Sequence, residues 1–329
     1  MQLVTYRGLG AAGSDPRVGI LHGDHVLDLA VGCARAAVPT DGAEPPRTML
    51  ELLRLGDTGI ALARAVLDRA GDRPDDLGEI GVPRSRVRLC APLPRPNSMR
   101  DFMLVEEHVE NSFGTVPAEW YRIPVHWKGN PDTVFGPDDE VPWPHYTDKL
   151  DYELEVAAVL GRPAFQVTPD EAAGCIAGYT IFNDWSARDI QFREMSVGIG
   201  PAFGKDFATS LGPCLTTADA IDITSARMTA RINGEVWSDG NPGSMNFSFP
   251  EVISLLSAEQ PLHPGDVLGG GTVGRGCGLE LDRWIRPGDL VELEVSGIGV
   301  LRNTVGAKRV VPPQVIDLVP AGTTSEEDP

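Results

Sequence analysis

The sequence has no Cys-x-x-Cys pair, no Walker phosphate loop and no apolar run near the roughly 18 residues that a membrane-crossing helix requires. Its five cysteines, Cys33, Cys90, Cys175, Cys214 and Cys277, are odd in number and far apart, so neither a zinc ribbon nor a disulfide framework is supported. Aromatic residues make up only 6%, against 37 Gly and 28 Pro, which argues for many turns and short elements over a helical bundle. Basic residues are scarce: 28 Lys and Arg face 47 Asp and Glu, a net charge of −19. A surface so acidic repels phosphate backbones and anionic lipid, which sets aside nucleic-acid and membrane-surface roles. The first residues carry no basic stretch followed by an apolar core, so a cytoplasmic location is the expectation.

What is there is an ordinary globular balance, 42% hydrophobic and 23% charged over 329 residues. That length predicts one large domain with a small companion, large enough to fold without metal or disulfide support. Residues 17–21 and 26–29 read as a hairpin around His22-Gly23-Asp24-His25, two histidines at a polar tip and not a metal site. A loop is expected at 34–47, helical spacing at 49–53 and 60–67, and a Thr168/Glu171 capping box at 169–173. The proline-rich stretch 81–97 marks the crossing from a small N-terminal α/β region, 1–90, into the main body, 91–318, with a disordered tail at 319–329. The body reads as strand-dominated α+β, punctuated by glycines between 265 and 278.

Asp151-Tyr152-Glu153-Leu154-Glu155 opens a strand that continues to residue 160, so Glu153 and Glu155 point to one face and Tyr152, Leu154 and Val156 to the other. Two carboxylates side by side repel unless a cation or proton lies between them, which makes half of a hard-cation site. The chain also carries its own control. Glu292 and Glu294 have the same spacing in the alternating strand 291–295, where the expectation is a solvated face. Three further clusters stand out: residues 183–191, delivering Asp184 at a strand end; 200–207, offering Lys205 on a glycine-flexed turn; and 100–108, where Asp101 and His108 lie about two helical turns apart and can share a face. Taken singly, each has a plain reading: an Arg188–Asp189 ion pair, a surface lysine, a helix-face histidine.

Taken together and in this order, Glu153-x-Glu155, Asn183-Asp184-Trp185-Ser186-Ala187-Arg188-Asp189-Ile190-Gln191 and Gly200-Pro201-Ala202-Phe203-Gly204-Lys205 resemble the fumarylacetoacetate hydrolase family over roughly residues 90–310. The resemblance implies a mixed β-roll catalytic domain and a homodimer. It implies Mg²⁺, or alternatively Mn²⁺ or Ca²⁺, held by Glu153, Glu155 and Asp184 with Asp101 as a further ligand. It also implies His108 as general base, Glu280 as its orienting partner, and Lys205, Gln191 and Thr272 as residues that meet the substrate. Where the family's founding hydrolase has tyrosines and an arginine against its substrate, this chain has Met103, Trp127 and Met195 and a shortened loop between His108 and Trp120. A pocket walled by thioethers and an indole is more apolar and has fewer donors, so the substrate differs from fumarylacetoacetate.

The leading expectation is metal-assisted hydrolysis of a carbon–carbon bond in a 1,3-diketone or acylpyruvate, with His108 activating water. The alternative on the same enolate-stabilising core is decarboxylation of an oxaloacetate-type β-keto acid, or isomerisation or hydration of a 2-oxo acid. A third class, a non-catalytic metal-binding scaffold, would lack the base and the lysine, and both are present.

Overall fold

Short runs of aliphatic residues between glycines and prolines build strands, and among the described helices only Asp57–Asp72 exceeds nine residues. A computed structural model describes residues 1–9, 15–36, 44–72 and 77–312. The expected tail at 319–329 and the middle of the expected loop at 34–47 lie outside the described residues.

Among the described residues, twelve strands form one mixed sheet and five form another, in keeping with the α+β expectation. From edge to edge the large sheet runs Gly81–Pro83, His25–Asp28, Arg17–His22, Gln2–Gly8, Thr209–Thr217, Ile176–Asp184, Leu154–Leu160, Asp266–Gly269, Ser98–Phe102 and His126–Gly129. Most neighbours are antiparallel, but Asp266–Gly269 and Ser98–Phe102 pair in parallel. The second sheet comprises Glu235–Gly240, Met228–Ile232, Leu290–Val295, Gly299–Lys308 and Glu140–Trp143. No described helix is long and apolar enough to cross a membrane.

The central strand Leu154–Leu160 is buried on both faces, which is why it reads as a continuous apolar run. Leu154, Val156, Ala158 and Leu160 face the core between the two sheets, with Met228, Leu293 and Leu301 opposite. Ala157 and Val159 face a second core, closed by Leu52, Leu53, Leu62 and Val66 of the N-terminal helices. By the same alternation Glu153 and Glu155 lie on the Ala157–Val159 side. Glu292 and Glu294 occupy the outer face of the second sheet, half-buried, where Glu294 meets Arg231 at 2.6 Å.

Several local expectations hold. His22 pairs with His25 across the two-residue turn Gly23-Asp24, and His25 Nδ1 lies 2.6 Å from Asp24 Oδ1. Thr168 and Glu171 form the expected capping box, and Thr48 and Glu51 form another. Two expectations change. The strand at 26–29 stops at Asp28, whose Oδ1 accepts from the Val31 N–H at 2.9 Å and so starts the helix Leu29–Ala36, part of which was expected to be loop. Asp101 and His108 do not share a helix: Asp101 is on the strand Ser98–Phe102 and His108 on the helix Glu106–Phe113 that follows. Parallel pairing with Asp266–Gly269 extends the first part, a contact between distant segments that local spacing does not report.

Phe182, fully buried, packs in the core that joins the N-terminal strands to the central ones. Phe182→Ala should therefore lower unfolding stability by about 3–5 kcal/mol, the usual cost of emptying a buried aromatic site. It should do so in a single cooperative denaturant transition. Two separated transitions, or a loss under 1 kcal/mol, would contradict this packing.

Candidate active site

Four acidic side chains converge where the central strands end. Glu153 and Glu155 flank the start of Leu154–Leu160, Asp184 ends Ile176–Asp184, and Asp101 comes from the neighbouring Ser98–Phe102. All four are buried, and one carboxylate oxygen from each lies within 4.8 Å of the other three. The backbone is shaped around them. A Cβ on Gly269 would stand 2.2 Å from Asp101 Oδ1, and Gly271, at φ +84°, donates its N–H to Glu155 Oε2 at 3.2 Å.

Two cations enter this cluster. Lys205, itself buried, places Nζ 2.6 Å from both Glu153 Oε2 and Asp184 Oδ2. Arg188 bridges Asp151 and Glu153, each at 2.8 Å. With Asp151, which shares Arg188, five buried carboxylates face two cations, a formal charge of −3, and no hydrogen-bond donor reaches the buried Asp101 Oδ1 or Asp184 Oδ1. Burial pushes Glu155 well above the ordinary carboxylate range, and Asp101, Glu153 and Asp184 push it further. Burial raises Asp184 likewise, against the pull of Lys205. Burial works against the charge of Glu153 too, but Lys205 and Arg188 beside it hold its carboxyl far below the usual value. Hard oxygen donors, an excess of carboxylates over cations and orphaned buried oxygens together fit a divalent cation of the Mg²⁺, Mn²⁺ or Ca²⁺ kind.

On the adjoining wall His108 Nδ1 lies 3.0 Å from Glu280 Oε2, while Nε2 faces the cluster 4.0 Å from Glu153 Oε1. Glu280 is held by the Asn111 side chain at 3.0 Å and by the backbone N–H groups of Arg275 and Gly276 at 2.8 and 3.0 Å. Burial raises the Glu280 carboxyl, but the interaction with His108 and the hydrogen bonds from Asn111 and the Arg275 N–H together outweigh it, and the group lies below its ordinary value. In the tautomer that donates Nδ1–H to the Glu280 carboxylate, Nε2 is the acceptor that faces the cluster.

A cavity of about 240 Å³ opens over both halves. Every residue expected at the substrate lines it: Lys205, Gln191, Thr272, Met103, Trp127 and Met195. Their contacts refine the expectations. Two of the three Lys205 donors are spent on carboxylates. Thr272 donates to Glu155 Oε1 at 3.1 Å, Gln191 Oε1 accepts from Arg188 at 3.1 Å, and Trp127 Nε1 donates to Asp101 Oδ2 at 3.2 Å. Lys205 is thus no surface charge, and Arg188 pairs with Asp151 and Glu153 instead of Asp189, which accepts from the Asp148 N–H at 2.9 Å.

Two residues missed in the sequence tie the halves together. Asp151 accepts from the N–H groups of Gly278 and Leu279 at 2.7 and 3.0 Å, holding the turn that carries Glu280, and Arg188 links it to Glu153. Asp151-x-Glu153-x-Glu155 continues the same period-2 acidic face, a signal that was there to read. Asn111, three residues after His108, was equally within helical reach.

The family model for the fumarylacetoacetate (FAA) hydrolase C-terminal region matches residues 99–306. Oxaloacetate tautomerase YisK of Bacillus subtilis (strain 168) is 31% identical over 271 residues, covering 79% of this chain and 87% of its own length. The mitochondrial oxaloacetate tautomerase FAHD2A of Homo sapiens is 32% identical over 292 residues, 87% of this chain and 88% of that protein. Among solved structures, a fumarylacetoacetate hydrolase from psychrophilic Exiguobacterium antarcticum aligns at TM-score 0.70 and 25% identity, over 94% of this chain and 100% of its own.

The two Glu-x-Glu pairs offer a matched test. A Glu153→Ala/Glu155→Ala variant should lose calorimetric binding of Mg²⁺ or Mn²⁺, whereas Glu292→Ala/Glu294→Ala should bind like the parent protein. The reverse pattern would overturn this reading of the cluster.

Proposed function

The chain belongs to the fumarylacetoacetate hydrolase family, and from that premise we propose that it is a divalent-metal-dependent enzyme interconverting the keto and enol forms of a small, oxaloacetate-type 2-oxo acid. The observation that carries this reading is His108, with Nδ1 engaged by Glu280 and Nε2 facing the carboxylate cluster. The substrate class follows the relatives named as oxaloacetate tautomerases. A cavity of about 240 Å³ also suits a small acid, since drug-sized sites run to roughly 300–1,000 Å³.

Glu153, Glu155 and Asp184, with Asp101 beside them, would hold a divalent cation, Mg²⁺ in the first instance, and a cation bound there would supply the Lewis acidity that eases negative charge onto the 2-oxo group. His108 Nε2 takes a proton from C3 of the keto acid and returns one to the 2-oxo oxygen; the enol-to-keto direction runs the same steps in reverse. Glu280 stabilises the imidazolium formed between the two transfers and keeps the ring turned. Lys205 offsets Glu153 and Asp184 and offers its third N–H to the developing oxyanion, beside Gln191. Thr272 positions Glu155, and Met103, Trp127 and Met195 make an apolar wall that limits competing water. No water is consumed and no carbon–carbon bond breaks.

Hydrolysis of an acylpyruvate-type diketone is the second reading. The same His108–Glu280 pair favours it, because a base so placed can equally deprotonate water. The two differ in product. With oxaloacetate and Mg²⁺, the enol absorbance in the ultraviolet should relax faster with enzyme than without, while coupled detection finds no pyruvate above the uncatalysed rate. Pyruvate release would convert the assignment to a decarboxylase, and acylpyruvate cleavage at a higher kcat/KM would convert it to a hydrolase.

His108→Ala should lower kcat by roughly 10²–10⁴, the span usual for a lost general base, with cation binding retained in calorimetry. Glu280→Gln should cost less, because a base remains. Near-parental turnover in His108→Ala would remove His108 from the reaction.

A further inference from the structure

Glu280 Oε2 gathers more than the His108 ring. Cys277, fully buried, points Sγ at the same oxygen from 3.3 Å, and His108 Nδ1 approaches it at 3.0 Å. One donor atom from each of His108, Cys277 and Glu280 lies within 4.8 Å of the other two. Proton transfer at His108 Nε2 makes no use of this thiol.

Imidazole nitrogen, cysteine sulfur and carboxylate oxygen are the donor types that Zn²⁺ takes, at about 2.0–2.1 Å for N and O and about 2.3 Å for S. Near-tetrahedral angles at those lengths separate the donors by about 3.3–3.5 Å. The two spacings to Glu280, 3.0 and 3.3 Å, are within a few tenths of an ångström of these, and donor atoms of His108 and Cys277 lie within 4.8 Å of each other. The cluster around Glu153, by contrast, offers oxygen alone. Sulfur selects borderline-soft ions and is shunned by Mg²⁺ and Ca²⁺, so the two groups of donors sort metals by chemistry.

We propose that His108, Cys277 and Glu280 form a second metal site, one that takes Zn²⁺ and switches off the His108 base when filled. Three protein ligands leave one position for water, as in other open zinc sites. On binding, the Cys277 S–H bond breaks, its proton passes to solvent and an S–Zn bond forms. His108 exchanges its Nδ1 proton for the metal and takes a proton on Nε2. The net change is one proton released per zinc, with no change of oxidation state. A ring metallated at Nδ1 and protonated at Nε2 is a donor where the reaction needs an acceptor. The loss of activity rests on the base role given to His108 above; zinc binding does not.

Co²⁺ is the probe, because a cobalt–thiolate bond gives a near-ultraviolet charge-transfer band that all-oxygen ligation lacks. Full-length protein saturated with Mg²⁺ should develop this band to one equivalent of Co²⁺ and lose it when Zn²⁺ is added. Cys277→Ser and Cys277→Ala should show no band, although four other cysteines remain. No band in the parent protein, or an undiminished band in both variants, overturns the site. Should neither variant fold, X-ray absorption of the zinc-loaded parent decides it, and a shell without sulfur overturns the proposal. In turnover, Zn²⁺ should inhibit without competing against Mg²⁺. Cys277→Ser should raise the half-inhibitory concentration at least roughly tenfold, the scale on which even outer partners act at metal sites. Cobalt bound through Cys277 with turnover unchanged would overturn the switch; loss of turnover in His108→Ala would then place the fault in His108 as a ligand, and its retention would place the fault in His108 as the base.

Discussion

Four carboxylates brought within one another's reach and out of water are a costly arrangement that needs compensation. Around them the chain places what such a cluster demands. Lys205 and Arg188 are drawn inside, though burial opposes charge on both, because Glu153, Asp184 and Asp151 hold their protons in place. Removing either partner of such a buried pair typically costs about 3–5 kcal/mol, since the survivor is left charged and alone. The glycines at 269 and 271 belong to the same requirement: one yields the volume of a side chain, the other turns an N–H toward Glu155.

The cluster and the base are not independent modules. Asp151 grips the turn that carries Glu280 through two backbone N–H groups, and Arg188 grips both Asp151 and Glu153. A displacement on the cation side is thereby felt in the ring orientation of His108, and the converse holds. Buried ion pairs and backbone hydrogen bonds thus connect the proton acceptor and the cation site across a small cavity.

Much of this was legible from residue pattern. Period-2 spacing put Glu153 and Glu155 on one face, the apolar run ahead of Asp184 put it at a strand end, and the Thr168 cap follows a local rule of spacing. What spacing could not settle was sheet position. Glu292 and Glu294 repeat the pattern of Glu153 and Glu155, yet one pair is on an outer face beside Arg231 and the other is in the centre of the large sheet. Asp101 and His108 were misread for a related reason. Seven residues is two helical turns only if the helix is continuous, and here a parallel neighbour from residues 266–269 holds the first part extended. The partner of Arg188 was equally hidden, because Asp189 is adjacent in the chain but Asp151, thirty-seven residues away, is adjacent in space.

The two-sided burial of the central strands has a consequence for anyone shortening the chain. The helices of the N-terminal region pack on one broad apolar surface, where Ala157, Val159, Phe182, Leu211, Leu215 and Val267 share a core with Leu52, Leu53 and Leu62. Cutting near residue 90 would strip that surface to water while leaving every carboxylate and the histidine in the sequence. Such a fragment would carry the whole chemistry and still behave as an adhesive, its bare face seeking other chains before it could hold an ion.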